Sequence, residues 1–291
     1  MFMRSKTALF AATALAAGAV TAPAAAQDVT IGWTAWSDAE FVTKLAETIM
    51  EDRMGLEVEL IQTDIAPQYQ GVAQGDIDVM LMSWQPNTHA DYVDQVGADV
   101  VNLGILYDGA QLGWIVPDYV PEDQLSSIAD LSNEEVREQL DGRIQGIDPG
   151  AGLMRLSNET IEAYDLDYEL VSASGAAMTA ALDRAISREE WIVVTGWTPH
   201  WMFGAYDLRF LEDPERALGG VERIMAVARE GFYQDSPEAA GFLSRMWLPL
   251  DDLQAAMFEA REGSYDEAIA SFIENNPERV EYWVTGEIGG V

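Results

Sequence analysis

Val193-Val194-Thr195-Gly196-Trp197-Thr198-Pro199-His200-Trp201 is a β-branched run that meets a glycine, delivers a large aromatic and is then stopped as strand by Pro199. An indole is thereby placed at the carboxyl end of a strand, where open α/β sheets bind ligands. Ile77-Asp78-Val79-Met80-Leu81-Met82-Ser83-Trp84-Gln85-Pro86 repeats the pattern: a buried strand, then Trp84, then an X-Pro step. Gly32-Trp33-Thr34-Ala35-Trp36 follows a third short strand. Tryptophans that end separate strands in this way converge on one shared cleft.

Working outward from these stretches, a strand is expected over 29–33, then a helix opened by a capping box at Ser37-Asp38-Ala39-Glu40, with Phe41, Leu45, Ile49 and Met50 at helical spacing. A strand over 58–61, a helix over 65–74 and the strand ending at Trp84 complete a βαβαβ series, the pattern of a parallel doubly wound sheet. A helix over 87–96 and a strand over 100–103 come next, and a separate strand is expected over 113–117. A second βα series has strands at 143–147, 168–172 and 191–195, and helices starting near Ala151 and over 175–186. Strands over 208–211 and 224–227 precede a helical remainder, with Pro237 in a first turn and a capping box at Ser264-Tyr265-Asp266-Glu267. The fold class is therefore α/β with two lobes joined by two crossovers, expected as strands near 105–117 and 208–228. The expected parts are a leader at 1–26, lobe one at 27–110, lobe two at 111–222, and a return to lobe one at 223–291.

The leader reading rests on Arg4 and Lys6, an Ala-rich apolar run over 8–20 and the small residues Ala24-Ala25-Ala26, the grammar of a secretory signal. The expected product is exported and soluble, in the periplasm. The chain has no Cys, so it has neither a disulfide framework nor a thiolate metal site, and its two histidines are too few for the usual zinc ligand set. The formal charge is −34, and loss of Arg4 and Lys6 with the leader makes it more negative still. Such a balance argues against nucleic acid and anionic membranes as partners.

The chemistry that suits converging indoles is an aromatic cage for a quaternary ammonium group, each face contributing about 0.5–2 kcal/mol. Trp84 and Trp197 are the expected walls, with Trp33 or Trp36 as the third. Trp114, Trp191 and Trp283 fit core positions, and Trp201 and Trp247 fit either reading. A carboxylate on the ligand would need donors. His89 can supply a ring N–H, and Gly146-Ile147-Asp148-Pro149-Gly150-Ala151-Gly152 is a glycine-rich turn before a helix that can present backbone amides. His200 sits beside the pocket in either a structural or a contacting role. A secreted hydrolase working through Asp38, Glu40 and Asp148 is the competing class, because glycosidases also line clefts with tryptophan. The chain carries no nucleophile elbow, metal triad or phosphate loop, and Asp38 and Glu40 read as helix-start residues.

Trp84-Gln85-Pro86-Asn87-Thr88-His89, the 146–152 turn and Thr195-Gly196-Trp197-Thr198-Pro199-His200-Trp201-Met202-Phe203 closely resemble the motifs of the glycine betaine-binding proteins of ABC importers. The resemblance covers nearly all of the chain after the leader. It implies a two-lobed type II periplasmic binding protein, each lobe a mostly parallel sheet flanked by helices, with two crossover strands as hinge. It also implies a monomer without catalysis or cofactor that delivers its ligand to a permease. Carried over by position, Trp84, Trp197 and Trp33 or Trp36 would form the cage. His89 and the amides of Gly146 and Ile147 would hold the carboxylate, with Ala151, His200 and Trp201 behind them. Some relatives have a tryptophan where this chain has Ala151, and choline-binding relatives have an aspartate where it has Ala35. The implied ligand is glycine betaine or a related methylated zwitterion, with dimethylsulfonium betaine, choline and trimethylamine N-oxide as alternatives.

Overall fold

Apolar strands alternating with amphipathic helices set the first part of the molecule. The computed structural model describes residues 28–288, so the leader read at 1–26 lies outside the described residues. β1 (Asp28–Trp33), α1 (Ser37–Ile49), β2 (Glu57–Gln62), α2 (Ile65–Gln74) and β3 (Val79–Gln85) follow one another. β1 is parallel to β2 on one side and to β3 on the other, as expected for βαβαβ. α1 buries Phe41, Val42, Leu45 and Ile49, and a π-helical turn (Met50–Met54) extends it to Gly55, whose φ of 68° closes the helix in the left-handed region.

The start of α1 differs from the capping-box reading. Trp36 is the N-cap, and Ser37 is already helical with its hydroxyl donating to Met257 Sδ at 3.2 Å. Asp38 is fully buried instead of lying on a solvated first turn.

After α3 (Ala90–Val96) comes β4 (Val100–Pro117), one strand of 18 residues where the sequence suggested two. Gly104 and Gly109 sit at bulges that the ladder absorbs, Gly109 with a φ of 80°. β4 changes partner along its length. From Val100 to Ala110 it pairs antiparallel with β9 (Glu222–Arg229), and from Gln111 to Ile115 with β7 (Val194–Thr198). β7 begins three residues later than the expected strand at 191, because its pairing with β4 fixes its extent and carries Trp197 within it.

The second series comprises α4 (Glu134–Gln139), β5 (Arg143–Gln145), α5 (Gly152–Ala163), β6 (Glu169–Val171), α6 (Gly175–Arg188), β7, α7 (Met202–Ala205) and β8 (Leu208–Phe210). β5 lies parallel to β6 and β7. The strand order is β2-β1-β3-β9-β4-β7-β5-β6, with β8 added to the end of β4. The return connection is not strand throughout: between β8 and β9, Pro214 cannot donate to a ladder, and Arg216 (φ 55°) and Gly219 (φ 92°) turn the chain. α8 (Phe232–Asp235), α9 (Pro237–Arg245), α10 (Leu250–Glu262), α11 (Tyr265–Asn275) and α12 (Pro277–Thr285) complete the chain. Pro237 opens α9, and the Ser264 hydroxyl accepts from Glu267 N at the start of α11. No helix among the described residues is long and apolar enough to cross a membrane.

Candidate functional site

β3 is buried through Trp84, and the turn that follows returns His89 beneath it. The turn closes on itself: Trp84 N donates to His89 Nδ1 (3.1 Å) and His89 N donates to Trp84 O (3.0 Å). Because a backbone amide can only donate, Nδ1 is the acceptor and the ring proton resides on Nε2. His89 Nε2 is buried and has no partner among the described residues. Burial and the Arg155 charge push the His89 pKa down to about 3, so the ring is a neutral N–H donor at physiological pH.

Trp36, Trp84 and Trp197 line one pocket with His89, Thr88, Leu112, Ile147, Ala151, Gly152 and Leu153. Each indole is tethered by its N–H. Trp36 Nε1 donates to Asp148 Oδ2 (3.0 Å), Trp84 Nε1 to Met82 Sδ (3.1 Å) and Trp197 Nε1 to Asp38 Oδ1 (3.0 Å). The Trp36 and Trp197 rings meet edge to face, 6.4 Å between centroids. Two of these tethers join the β1–β3 half of the molecule to the β5–β7 half, and Tyr92 OH donates across the same seam to Gly150 O (2.8 Å). The space left between the lining residues is about 20 Å³, roughly one water.

Asp38 is the pivot of this arrangement. Its carboxylate accepts from Trp197 and also from Tyr107 OH at 2.6 Å, with no exposure to solvent. Burial raises its pKa to about 6 against the opposing effect of those two donors. Sequence reasoning missed it, because an acid at a helix start ordinarily belongs to an exposed first turn. Tyr107, at the middle of the long β4 strand, offered no separate signal.

Several expected residues are placed differently. Trp33 ends β1, half-buried, and does not line the pocket; the turn after β1 brings Trp36 there instead. The Gly146 amide is not a free donor, since it donates to Val171 O at 2.9 Å as an extension of the β5–β6 pairing. Ile147 lines the pocket, but its N–H faces Met154 Sδ at 3.3 Å, a weak acceptor. The first-turn amides of Gly152 and Leu153, both pocket residues, have no intrahelical acceptor. Ala151 lines the pocket directly. His200 is buried against Trp197 (4.8 Å) and Trp201 (5.3 Å) and does not line this pocket. The carboxylates nominated for hydrolysis are engaged elsewhere: Asp38 and Asp148 hold indoles, and Glu40 pairs with Lys44 at 2.7 Å.

The loop between Trp84 and His89 is held from two sides. Buried Glu222, the first residue of β9, accepts from Asn87 N, Thr88 N and Thr88 Oγ1 at 3.2–3.3 Å. Arg155 on α5 donates to Asn87 O (3.0 Å) and pairs with Asp91 (3.1 Å).

Comparison with known proteins gives this geometry a family. The model of the substrate-binding domain of ABC-type glycine betaine transport systems matches residues 27–275. A glycine betaine/carnitine transport binding protein of Listeria monocytogenes is 39% identical over 53% of this chain and 53% of its own length, so that alignment spans about half of the relative. A glycine betaine/proline betaine-binding periplasmic protein of Salmonella typhimurium is 24% identical over 85% of this chain and 86% of its own. Among solved structures, lactococcal OpuAC in its closed form with glycine betaine superposes with a TM-score of 0.83 at 35% identity, covering 89% of this chain and all of that one. A choline-binding ABC-transporter protein with choline gives 0.81 at 25% identity over 91% and 94% of the two chains. The expected two-lobed type II binding-protein fold is thus the observed one, and the family is one of binding, not catalysis. The chain belongs to the family of substrate-binding domains of ABC-type glycine betaine transport systems.

Proposed function

We propose that this protein captures glycine betaine or a closely related methylated zwitterion between its lobes, in the pocket walled by Trp36, Trp84 and Trp197, and delivers it to the permease of an ABC importer from the periplasm as a monomer. Residues 27–110 and 223–291 form one lobe in this reading, and residues 111–222 the other. The observation that carries it is the meeting, in one pocket, of three indoles and the unpartnered Nε2–H of a neutral histidine. A diffuse methylated cation suits the indoles. The carboxylate suits His89 Nε2 and the first-turn amides of Gly152 and Leu153, aided by the positive end of α5. The indoles and His89 enclose the pocket between the halves, so entry requires the lobes to part, and closure re-forms the Trp36–Asp148 and Trp197–Asp38 bonds across the seam. Binding then shifts the population toward the closed form.

Calorimetric titration of the wild type and Trp84→Ala with glycine betaine, dimethylsulfonium betaine and choline tests this. Micromolar binding of both carboxylated ligands is expected, with choline at least tenfold weaker because it leaves the buried donors unpaired, and with at least a tenfold loss for Trp84→Ala. Choline binding as tight as betaine binding removes the anion site. Unchanged affinity in a folded Trp84→Ala variant removes that wall.

A further inference from the structure

On the other side of Trp36 and Trp197 lies a second cavity between the halves, of about 410 Å³, bordered also by His200, Trp201, Tyr206 and Arg261. Its volume is within the roughly 300–1,000 Å³ range of small-molecule sites, in contrast to the constricted inner pocket. Three indoles therefore border this space as well, two of them shared.

The polar groups around it are asymmetric. Its acids are engaged: Glu40 pairs with Lys44 at 2.7 Å, and Asp183 accepts from Tyr206 OH at 2.9 Å. Its donors are His200 and Arg261. His200 Nδ1 accepts from Met202 N (3.1 Å), which places the ring proton on Nε2. The Arg261 guanidinium stacks over Trp201 at 5.0 Å with no carboxylate within 4.0 Å among the described residues. The arrangement repeats the logic of the inner pocket, with aromatic walls and a neutral histidine donor, and adds a cation.

We propose that this cavity is an outer subsite that holds the carboxylated, methylated zwitterion on its way to the inner pocket, with the carboxylate on Arg261 and His200 Nε2 and the methylated end against Trp36 and Trp201. The ligand class rests on the inner-pocket reading above. The subsite is weak, because its guanidinium is exposed to water.

Equilibrium dialysis of the full chain with radiolabelled glycine betaine, extended into the millimolar range, tests the proposal. The wild type is expected to take up one tight and one weak equivalent. Arg261→Gln, an exposed substitution, is expected to keep the tight equivalent and weaken the second at least tenfold. Trp84→Ala, whose indole borders only the inner pocket, is expected to weaken the first and keep the second. A wild type that saturates at one equivalent overturns the outer subsite and leaves the inner one standing, as does a weak equivalent that Arg261→Gln does not change. Weak choline uptake equal to that of betaine overturns the carboxylate assignment. Absence of any betaine uptake overturns the inner reading, and the subsite with it, a result distinct from saturation at one equivalent.

Discussion

At the scale of the residue, Asp38 shows how one buried carboxylate couples the core to the site. It accepts hydrogen bonds from Trp197 of one half and Tyr107 of the long shared strand, so the orientation of a pocket indole depends on its ionisation. Its folded pKa of about 6 lies above its ordinary value of 3.8. Below about pH 4 the group is protonated whether folded or not. Between pH 4 and 6 the unfolded chain ionises first, so stability falls as pH rises, by about 3 kcal/mol at the extreme, and levels off above pH 6. Denaturant unfolding of the wild type and Asp38→Asn from pH 4 to 7 reads this directly. The wild type is expected to lose stability relative to the variant across that window, and parallel curves would contradict the assignment. At pH 7 the same substitution sets an amide N–H against either the Trp197 indole, which can only donate, or the Tyr107 hydroxyl, which must then turn to accept, so a loosened Trp197 and weaker ligand binding are expected alongside.

At the scale of the element, the loop between β3 and α3 is the part on which the proposed site depends most. It carries Trp84 and His89 at its ends and is clamped by Glu222 through its amides and by Arg155 through its carbonyl oxygens. Glu222→Gln keeps the shape but replaces one accepting oxygen by a donor facing other donors. A destabilisation of about 1–3 kcal/mol is expected, together with weaker ligand binding, as measured by urea midpoint and calorimetry. Unchanged values for both would show that the clamp does not set the loop. The βαβαβ opening was legible because strand and helix periods alternate without ambiguity from Val29 to Trp84. Trp84 and Trp197 were legible because the proline two residues on ends the strand and leaves the indole at its mouth. Asp38 and Glu222 were not, since each acquires its role from partners more than 60 residues away, Tyr107 and Trp197 for one and the 87–88 amides for the other. The continuity of β4 was not legible either, since its ladder is interrupted by register shifts around Gly104 and Gly109. At Gly146 the turn grammar was read correctly, but pairing with Val171 had already taken the amide.

At the scale of the whole molecule, the site exists only where the two halves meet. β4 runs through both, pairing with β9 before Gln111 and with β7 from there on, so the pocket is built on either side of one continuous strand. The indole–carboxylate bonds Trp36–Asp148 and Trp197–Asp38 cross the seam, and the same bonds that orient the pocket walls hold the halves together. This coupling gives a physical route by which a ligand that orders the indoles favours the closed form. The acid excess of the chain, 50 Asp and Glu against 16 Lys and Arg, does not enter the pocket as free charge, since the two carboxylates nearest the indoles are already hydrogen-bonded. In the proposed mode recognition falls to aromatic faces and neutral donors, and the most direct measurement is a crystal structure of the protein with glycine betaine. The methyl groups are expected to be enclosed by Trp36, Trp84 and Trp197, with a carboxylate oxygen within hydrogen-bond distance of His89 Nε2. A tightly bound ligand with its carboxylate turned away from His89, or lodged outside the three indoles, would contradict this mode of recognition.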